Sequence, residues 1–349
     1  MYLLFQLQAT IKMTHELKKI VLAYQAAKEK GMAATLATVV ALDGSSYRRP
    51  GVSMLILEDG SMVGAVSGGC VEKEIKRQAS SVFKTQVPKV MTYDGRYRLG
   101  CEGILYILLE PFNPDETFIS LFWNIINIRA DFQIKSYYNK EEGTSKAYGS
   151  ILKTNEATIA FRTAFEASGQ TAVFSQKMSP CFRLLVMGAE HDAVQICSYA
   201  ALTGWEVIVV VPPDEQKSIK DFPGAHEFLP VAPEEFDTAT IDDQTAIILM
   251  THSFVKDLKF LLRLKDITPI YLGLLGPALR REKLLGQFLE HSPEVPDAFF
   301  DSIHGPAGIG IGAETPQEIA ISVLSEIISV VRQHKPIPLK DKKGTIHSR

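Results

Sequence analysis

The chain is poor in several things, and each scarcity excludes something. It has 4 cysteines and 2 tryptophans in 349 residues. Cys70, Cys101, Cys181 and Cys197 form no C-x-x-C pair, which removes a zinc ribbon and gives no basis for a disulfide framework. Unpaired thiols fit a reducing compartment, so a cytoplasmic location is expected. Excess charge of one sign is also missing: 37 basic residues stand against 40 acidic, a net charge of -3. No global field therefore favours nucleic acid or an anionic membrane as a partner. No apolar run reaches the ~18 residues of a spanning helix. The opening "MYLLFQLQATIK" is apolar but lacks a basic start and a small-residue cleavage site, so it is not read as a signal peptide. It reads as a loose extension or start-site artefact before Met13. A G-x-S-x-G elbow, an H-E-x-x-H helix, a P-loop and an internal repeat are all lacking.

What remains is a globular composition, 46% hydrophobic and 22% charged, long enough for two cores. From Met13 to Gly31 apolar residues recur at helical spacing. "AATLATVVAL", a hairpin "GVSMLILEDGSMVGAV" turning at "EDGS", "KVMTYD" and "GILYILLEP" read as strands. The helix "DETFISLFWNIINI" and four short alternating strands follow. This half, 13–176, is expected to be an α+β domain with an antiparallel or mixed sheet and helices on one side. The pattern changes after "SQKMSPCFR". "RLLVMGAEHDAVQICSYAALTGWEVIVVVPP" is strand, glycine turn, helix, strand, with near-continuous β-branched runs typical of strands buried on both faces. "TAIILMTHS" and "PIYLGLLG" continue the alternation. Residues 181–333 are therefore expected to form a doubly wound parallel sheet, making the fold class α/β. A helix with Thr315 as N-cap, Pro316 first and Glu318 third closes it. Residues 334–349 form a polar tail.

The first turn of that sheet reads Gly188-Ala189-Glu190-His191-Asp192-Ala193. The dinucleotide fingerprint G-x-G-x-x-G/A needs a second glycine so that pyrophosphate can approach the backbone. Glu190 puts bulk and negative charge there, and Pro212 and Pro213 displace the ribose-binding acid. NAD(P) is accordingly not expected as a cofactor, and Gly188 reads as a tight turn.

Four segments resemble one known family. "ATVVALDGSSYRRPGVSMLILEDGSMVGAVSGGCVE" is similar to the N-terminal domain of the xanthine dehydrogenase accessory factor family, XdhC/CoxI. "TYDGRYRLGCEGILYILLEP" resembles that domain's second cysteine segment. "THSFVKDLKFLL…YLGLLG" and "HGPAGIGIGAETPQEIAISVLSEI" resemble the family's C-terminal Rossmann-like domain. The resemblance runs from about Thr35 to Val331. It implies a chaperone that binds molybdenum cofactor (molybdopterin), supports its sulfuration and inserts it into a molybdenum hydroxylase such as xanthine dehydrogenase. It also implies contact with a cofactor sulfurase and a homodimer. The family's Rossmann turn often reads G-A-G-H, from which Glu190 departs. The alternative is an NAD(P)-dependent oxidoreductase built on the C-terminal sheet.

Candidate cofactor-binding residues follow. In "GSSYRRPG", Ser45, Ser46, Arg48 and Arg49 offer hydroxyls and guanidinium forks to a phosphate. The other reading is a solvated turn fixed by Pro50. Gly68, Gly69 and Cys70 make a bare corner at a helix start, where the thiolate could ligate molybdenum or handle sulfur transiently. Glu72 and Glu74 oppose a thiolate, and a buried structural thiol stays open. Cys101 sits in a second small-residue corner, "GCEG". Gly188 and His252 lie at the carboxyl ends of predicted parallel strands, where such sheets bind ligands. Ser253 reads equally as the cap of the next helix. His304 reads as an ordinary loop residue.

Overall fold

The computed structural model describes residues 14–342 apart from 45, 47, 48, 96–102, 164, 168 and 170, and gives Cys70 by its backbone alone. Ser45, Arg48, Cys101, the opening twelve residues and the end of the polar tail fall outside the described residues. The chain divides at Pro180 and Cys181 into two compact units.

The first unit starts with helix α1 (Thr14–Glu29). Strands β1 (Ala34–Asp43), β2 (Ser53–Leu57) and β3 (Met62–Gly64) follow. Next come α2 (Cys70–Thr85), β4 (Lys89–Asp94), β5 (Ile104–Pro111) and α3 (Glu116–Asn127). Then come β6 (Phe132–Tyr138), β7 (Gly143–Thr144), β8 (Gly149–Lys153), β9 (Thr158–Ala160) and β10 (Ala172–Met178). An antiparallel sheet runs β3-β2-β1-β5-β4-β7, and a second runs β10-β6-β8-β9. The "EDGS" hairpin forms as expected. Gly60 takes φ 84°, and the Asp59 carboxylate accepts from Ser61 N at 2.8 Å.

Alternation along β1 and β2 corrects the expectation of helices on one side. Ala37, Val39, Met54 and Ile56 pack with Val71, Ile75, Ala79 and Val82 of α2. The intervening Leu36, Leu55 and Leu57 pack instead with Leu17, Ile20 and Val21 of α1 and Phe118 and Phe122 of α3. Successive strand side chains point to opposite faces, so this sheet is covered on both. β1 is buried on both faces for its first seven residues, a pattern that reads as an apolar run rather than an alternation.

The second unit is a parallel α/β sheet. Its elements are β11 (Arg183–Met187), α4 (His191–Leu202), β12 (Glu206–Val211), β13 (Glu227–Pro230) and β14 (Thr245–Leu249). They continue with α5 (Phe254–Arg263), β15 (Tyr271–Leu274), α6 (Ala278–His291), α7 (Asp297–Asp301), β16 (Ile303–His304) and α8 (Pro316–Val331). The strand order is β13-β12-β11-β14-β15-β16, every pair parallel. The order reverses between β11 and β14, which makes the carboxyl ends of those two strands the switch point of a doubly wound sheet. One face packs α4 and α8, through Ala193, Ile196, Val323 and Ile327. The other packs α5 and α6, through Leu258, Leu261, Leu284 and Phe288.

Candidate functional site

In the first unit the segment Gly44–Gly51 joins β1 to β2, and its two ends are fixed. At the start, Asp43 accepts a hydrogen bond from Tyr106 Oη at 3.0 Å and pairs with Lys140. The bond from Lys140, chiefly, and that from Tyr106 hold the Asp43 carboxyl below its ordinary range. At the far end Gly51 N donates to Val39 O at 2.8 Å, with φ 105°. A Cβ on Gly51 would stand 2.9 Å from Gln176 Nε2, so only glycine fits without moving Gln176. Arg49 is exposed and Ser46 half-buried between these anchors. A small cavity of about 20 Å³ opens beside Gly51, lined by Thr38, Ser53, Gln176 and Glu16 among others. That is room for one water molecule. Thr38 and Ser53 share a hydroxyl–hydroxyl bond of 2.9 Å on its wall.

The corner Ser67-Gly68-Gly69-Cys70 leads from β3 into α2. Gly69 is the N-cap, at φ 61°, with no side-chain cap. Gly68 and Gly69 are exposed, and a Cβ on either would meet nothing within 4 Å. The glycines therefore leave an open backbone surface rather than relieve a clash. Glu72, which stands in the first turn, bends back so that its Oε1 accepts from Ser67 N at 2.7 Å. It is buried, 9% exposed, and among the described residues its Oε2 has no hydrogen-bond partner. Glu74 faces away to a bidentate pairing with Arg77 and a bond from Gln78 at 2.8 Å. The two acids differ: Glu74 carries its own countercharge, whereas Glu72 belongs to the corner.

In the second unit the structure brings Gly188 and His252 to the same switch point. Gly188 lies at φ 146°, and a Cβ there would stand 2.2 Å from Met250 O. The glycine is thus required by the carbonyl after β14. Glu190 is the N-cap of α4, and its side chain makes no cap bond. Lys217 donates to Ala189 O across the same turn. His252 takes φ 56°, a left-handed conformation rare outside glycine. Its half-exposed ring places Nε2 3.9 Å from Asp192 Oδ2 on α4. Ser253 Oγ accepts from Lys256 N at 3.4 Å, so the residue does cap α5. Below it, Asp257 is buried, accepts from Thr251 Oγ1 at 2.6 Å and pairs with Arg280 at 2.8 Å. Asp192, in the first turn of α4, and His252, after β14, thus face each other at this end of the sheet. Among the described residues no group of three or more His, Cys, Asp or Glu side chains is placed to hold a metal. Cys181 and Cys197 are buried, and burial pushes the Cys197 thiol up to about 11.

A family model for the XdhC Rossmann domain matches residues 184–327, and one for the XdhC and CoxI family matches residues 27–94. The chain belongs to the XdhC and CoxI family. The first match spans β11 to α8, and the second runs from the end of α1 through the Gly44–Gly51 segment and the Cys70 corner to Asp94. A Bacillus subtilis (strain 168) protein named as a probable xanthine dehydrogenase subunit is 28% identical over 84% of this chain and 92% of its own length. Molybdenum cofactor insertion chaperone PaoD of Escherichia coli (strain K12) is 27% identical over 86% of this chain and 84% of its own. A crystal structure described as a xanthine dehydrogenase from Bacillus halodurans is 25% identical, with a TM-score of 0.74 over 90% of this chain and 96% of that one. The XdhC/CoxI resemblance expected from the four segments is thereby shown, as is the fold class.

Four participants escape a reading of the sequence. Glu72 stands there only as a charge opposing the thiol, and its Ser67 bond needs the three-dimensional turn. Tyr106 and Lys140 lie 63 and 97 residues from Asp43, with no local signal joining them. Gln176 stands on β10, far along the chain from Gly51.

Proposed function

We propose that this XdhC/CoxI protein binds molybdenum cofactor as cargo, supports its sulfuration, and inserts it into a molybdenum hydroxylase of the xanthine dehydrogenase type. The relative named as a molybdenum cofactor insertion chaperone supports the class of activity. The observation that carries the reading on this chain is the open Cys70 corner. Two exposed glycines lead into the helix with nothing near their Cα hydrogens, so a flat, bulky ligand can lie against the backbone and reach the first residue of α2. On this reading Gly68 and Gly69 form the floor and Cys70 ligates molybdenum or carries sulfur. Ser45, Ser46, Arg48 and Arg49 take the terminal phosphate, and Cys101 supports the thiol chemistry. Gly188 and His252 form a contact surface of the second unit. A cofactor sulfurase, the hydroxylase and a second copy of the chain are the partners, in the cytoplasm.

NAD(P) has no part in it. Supporting this, Glu190 stands at the N-cap of α4 where the dinucleotide fingerprint has its second glycine, and its side chain makes no cap bond. The test is to load purified protein with molybdenum cofactor, remove free cofactor, and measure retained molybdenum by mass spectrometry and pterin by fluorescence. Wild type should retain both in equal amounts. Cys70→Ala should retain pterin but lose at least ~10-fold in molybdenum-dependent affinity. Wild type that retains neither metal nor pterin would refute the cargo reading.

A further inference from the structure

At the far edge of the parallel sheet, one carboxylate gathers three donors from three places. Glu326, inside α8, accepts from Tyr271 Oη at 2.5 Å and from Gly308 N at 2.7 Å on Oε2. Its Oε1 lies 3.1 Å from His304 Nδ1. The His304 and Tyr271 rings stack, with centroids 4.5 Å apart and 22° between planes. Burial works to raise the Glu326 carboxyl, but the bonds from His304, Tyr271 and Gly308 outweigh it and hold it below its ordinary range. An ionised carboxylate only accepts. His304 Nδ1 must therefore carry the hydrogen, and in the neutral ring Nε2 is left as a bare lone pair. The His304 side chain is 29% exposed, so the ring is not sealed from a ligand.

The next residue brings a cation beside it. A Cβ on Gly305 would stand 2.8 Å from Arg281 Cδ and 3.3 Å from Arg281 Nε. The Arg281 chain therefore lies flat against the backbone that follows His304. Among the described residues its Nε is buried with no hydrogen-bond partner, a donor left unsatisfied at a cost that calls for a further partner. A proton acceptor and an unsatisfied cationic donor thus flank one glycine. A carboxylate or a sulfate ester would answer the cation but has no hydrogen for Nε2. A phosphate monoester or inorganic phosphate has both, because its second ionisation falls near neutral pH.

We propose that His304 and Arg281 form a phosphate site at the carboxyl end of β16. The anionic oxygen pairs with Arg281. The P–O–H group donates to His304 Nε2 and can pass its proton there, breaking that O–H bond and forming N–H, which leaves a phosphate dianion between imidazolium and guanidinium. Glu326 and Tyr271 are positioning residues that fix the tautomer and the ring plane. The site goes beyond the cargo reading and does not rest on it, since free phosphate would fill it as well as an ester.

The test is isothermal titration of the full-length protein with inorganic phosphate, phenyl phosphate and sulfate, beside histidine ¹⁵N spectra of the same samples. One phosphate should bind per chain, at least ~10-fold tighter than sulfate, because sulfate brings no proton. Arg281→Gln and His304→Gln should each weaken it at least ~10-fold. The spectra should show one ring protonated at Nδ1 that shifts on phosphate addition and disappears in His304→Gln. The tighter of inorganic and phenyl phosphate identifies the source, free ion or ester. Should His304→Gln fail to fold, Arg281→Gln, which lies outside the Glu326 network, decides alone. No saturable phosphate binding, equal binding of sulfate, or wild-type affinity in Arg281→Gln would overturn the proposal.

Discussion

At the scale of single residues, the most consequential group outside the sites is Glu110 on β5. It is fully buried, accepts from Ser150 N at 2.8 Å and Ser150 Oγ at 2.6 Å, and Ser150 in turn bonds Ser136 at 2.8 Å. Burial pushes its carboxyl up to about 7, against the smaller opposing pull of the Ser150 bonds and of Arg162. The folded chain therefore holds a proton that the unfolded chain releases near pH 4.5. Its contribution to stability is full below that value, falls as the pH rises, and is lost once the pH passes about 7. In urea unfolding, wild type should lose roughly 2–3 kcal/mol across that window from this group. Glu110→Gln, which keeps the oxygen facing Ser150, should flatten the loss. An unchanged slope in the variant would show that Glu110 is not its source. None of this was legible in "GILYILLEP", where Glu110 looks like a polar strand end. Its burial comes from β1 and β8 closing over it, contacts set by pairing register rather than by local pattern. The thiols show the same limit. In the sequence nothing separates Cys197 from Cys181, whereas its place under Phe222 and Pro223 makes it inert.

At the scale of elements, what was legible is what local chemistry decides. The end of the Gly-rich loop is the clearest case. Thr315 Oγ1 accepts from Glu318 N at 3.3 Å, and Glu318 Oε2 in turn accepts from Thr315 N at 2.9 Å, with Pro316 in the first turn. This is the capping box read from "ETPQE". Thr315→Ala should cost about 1 kcal/mol of stability, and Thr315→Ser a few tenths at most. Equal losses from both in thermal unfolding would mean that the methyl group, not the cap, matters. The short strands β13 and β16 were not legible, because four and two residues carry too little period to stand out. Yet β16 is the element that sets His304 beside Tyr271. The same reason hid the Glu326 cluster, whose members lie 22 and 55 residues from Glu326. One local sign was present: Glu326 interrupts the buried stripe of α8 between Val323 and Ile327. An acid in such a stripe calls for partners. The covered second face of the N-terminal sheet was missed because β1 and β2 are buried on both sides and lack the alternation that would mark one face as wet.

At the scale of the whole molecule, each unit holds cores of its own, around α1, α2 and α3 in one and around α4, α8, α5 and α6 in the other. The two proposed ligands fall in different units: cargo at the Cys70 corner, phosphate at the end of β16. A ligand that binds only the folded state stabilises it by RT ln(1 + [L]/Kd), about 2.7 kcal/mol at a hundredfold excess over Kd. That stabilisation first reaches the segments whose opening exposes the bound surface. Hydrogen exchange of the full chain should therefore separate the ligands. Molybdenum cofactor should slow exchange around Ser67–Glu72 and leave His304–Ile309 unchanged. Inorganic phosphate should slow exchange at His304–Ile309, where Gly308 N is held by Glu326, and leave the Cys70 corner unchanged. In Cys70→Ala the first effect should shrink while the second persists, and in Arg281→Gln the reverse. If phosphate instead protects only the Cys70 corner, the anion belongs to the cargo site and the β16 edge is structural. If the cofactor protects both segments at once, the two surfaces act as a single site and the assignment of one ligand to each unit fails.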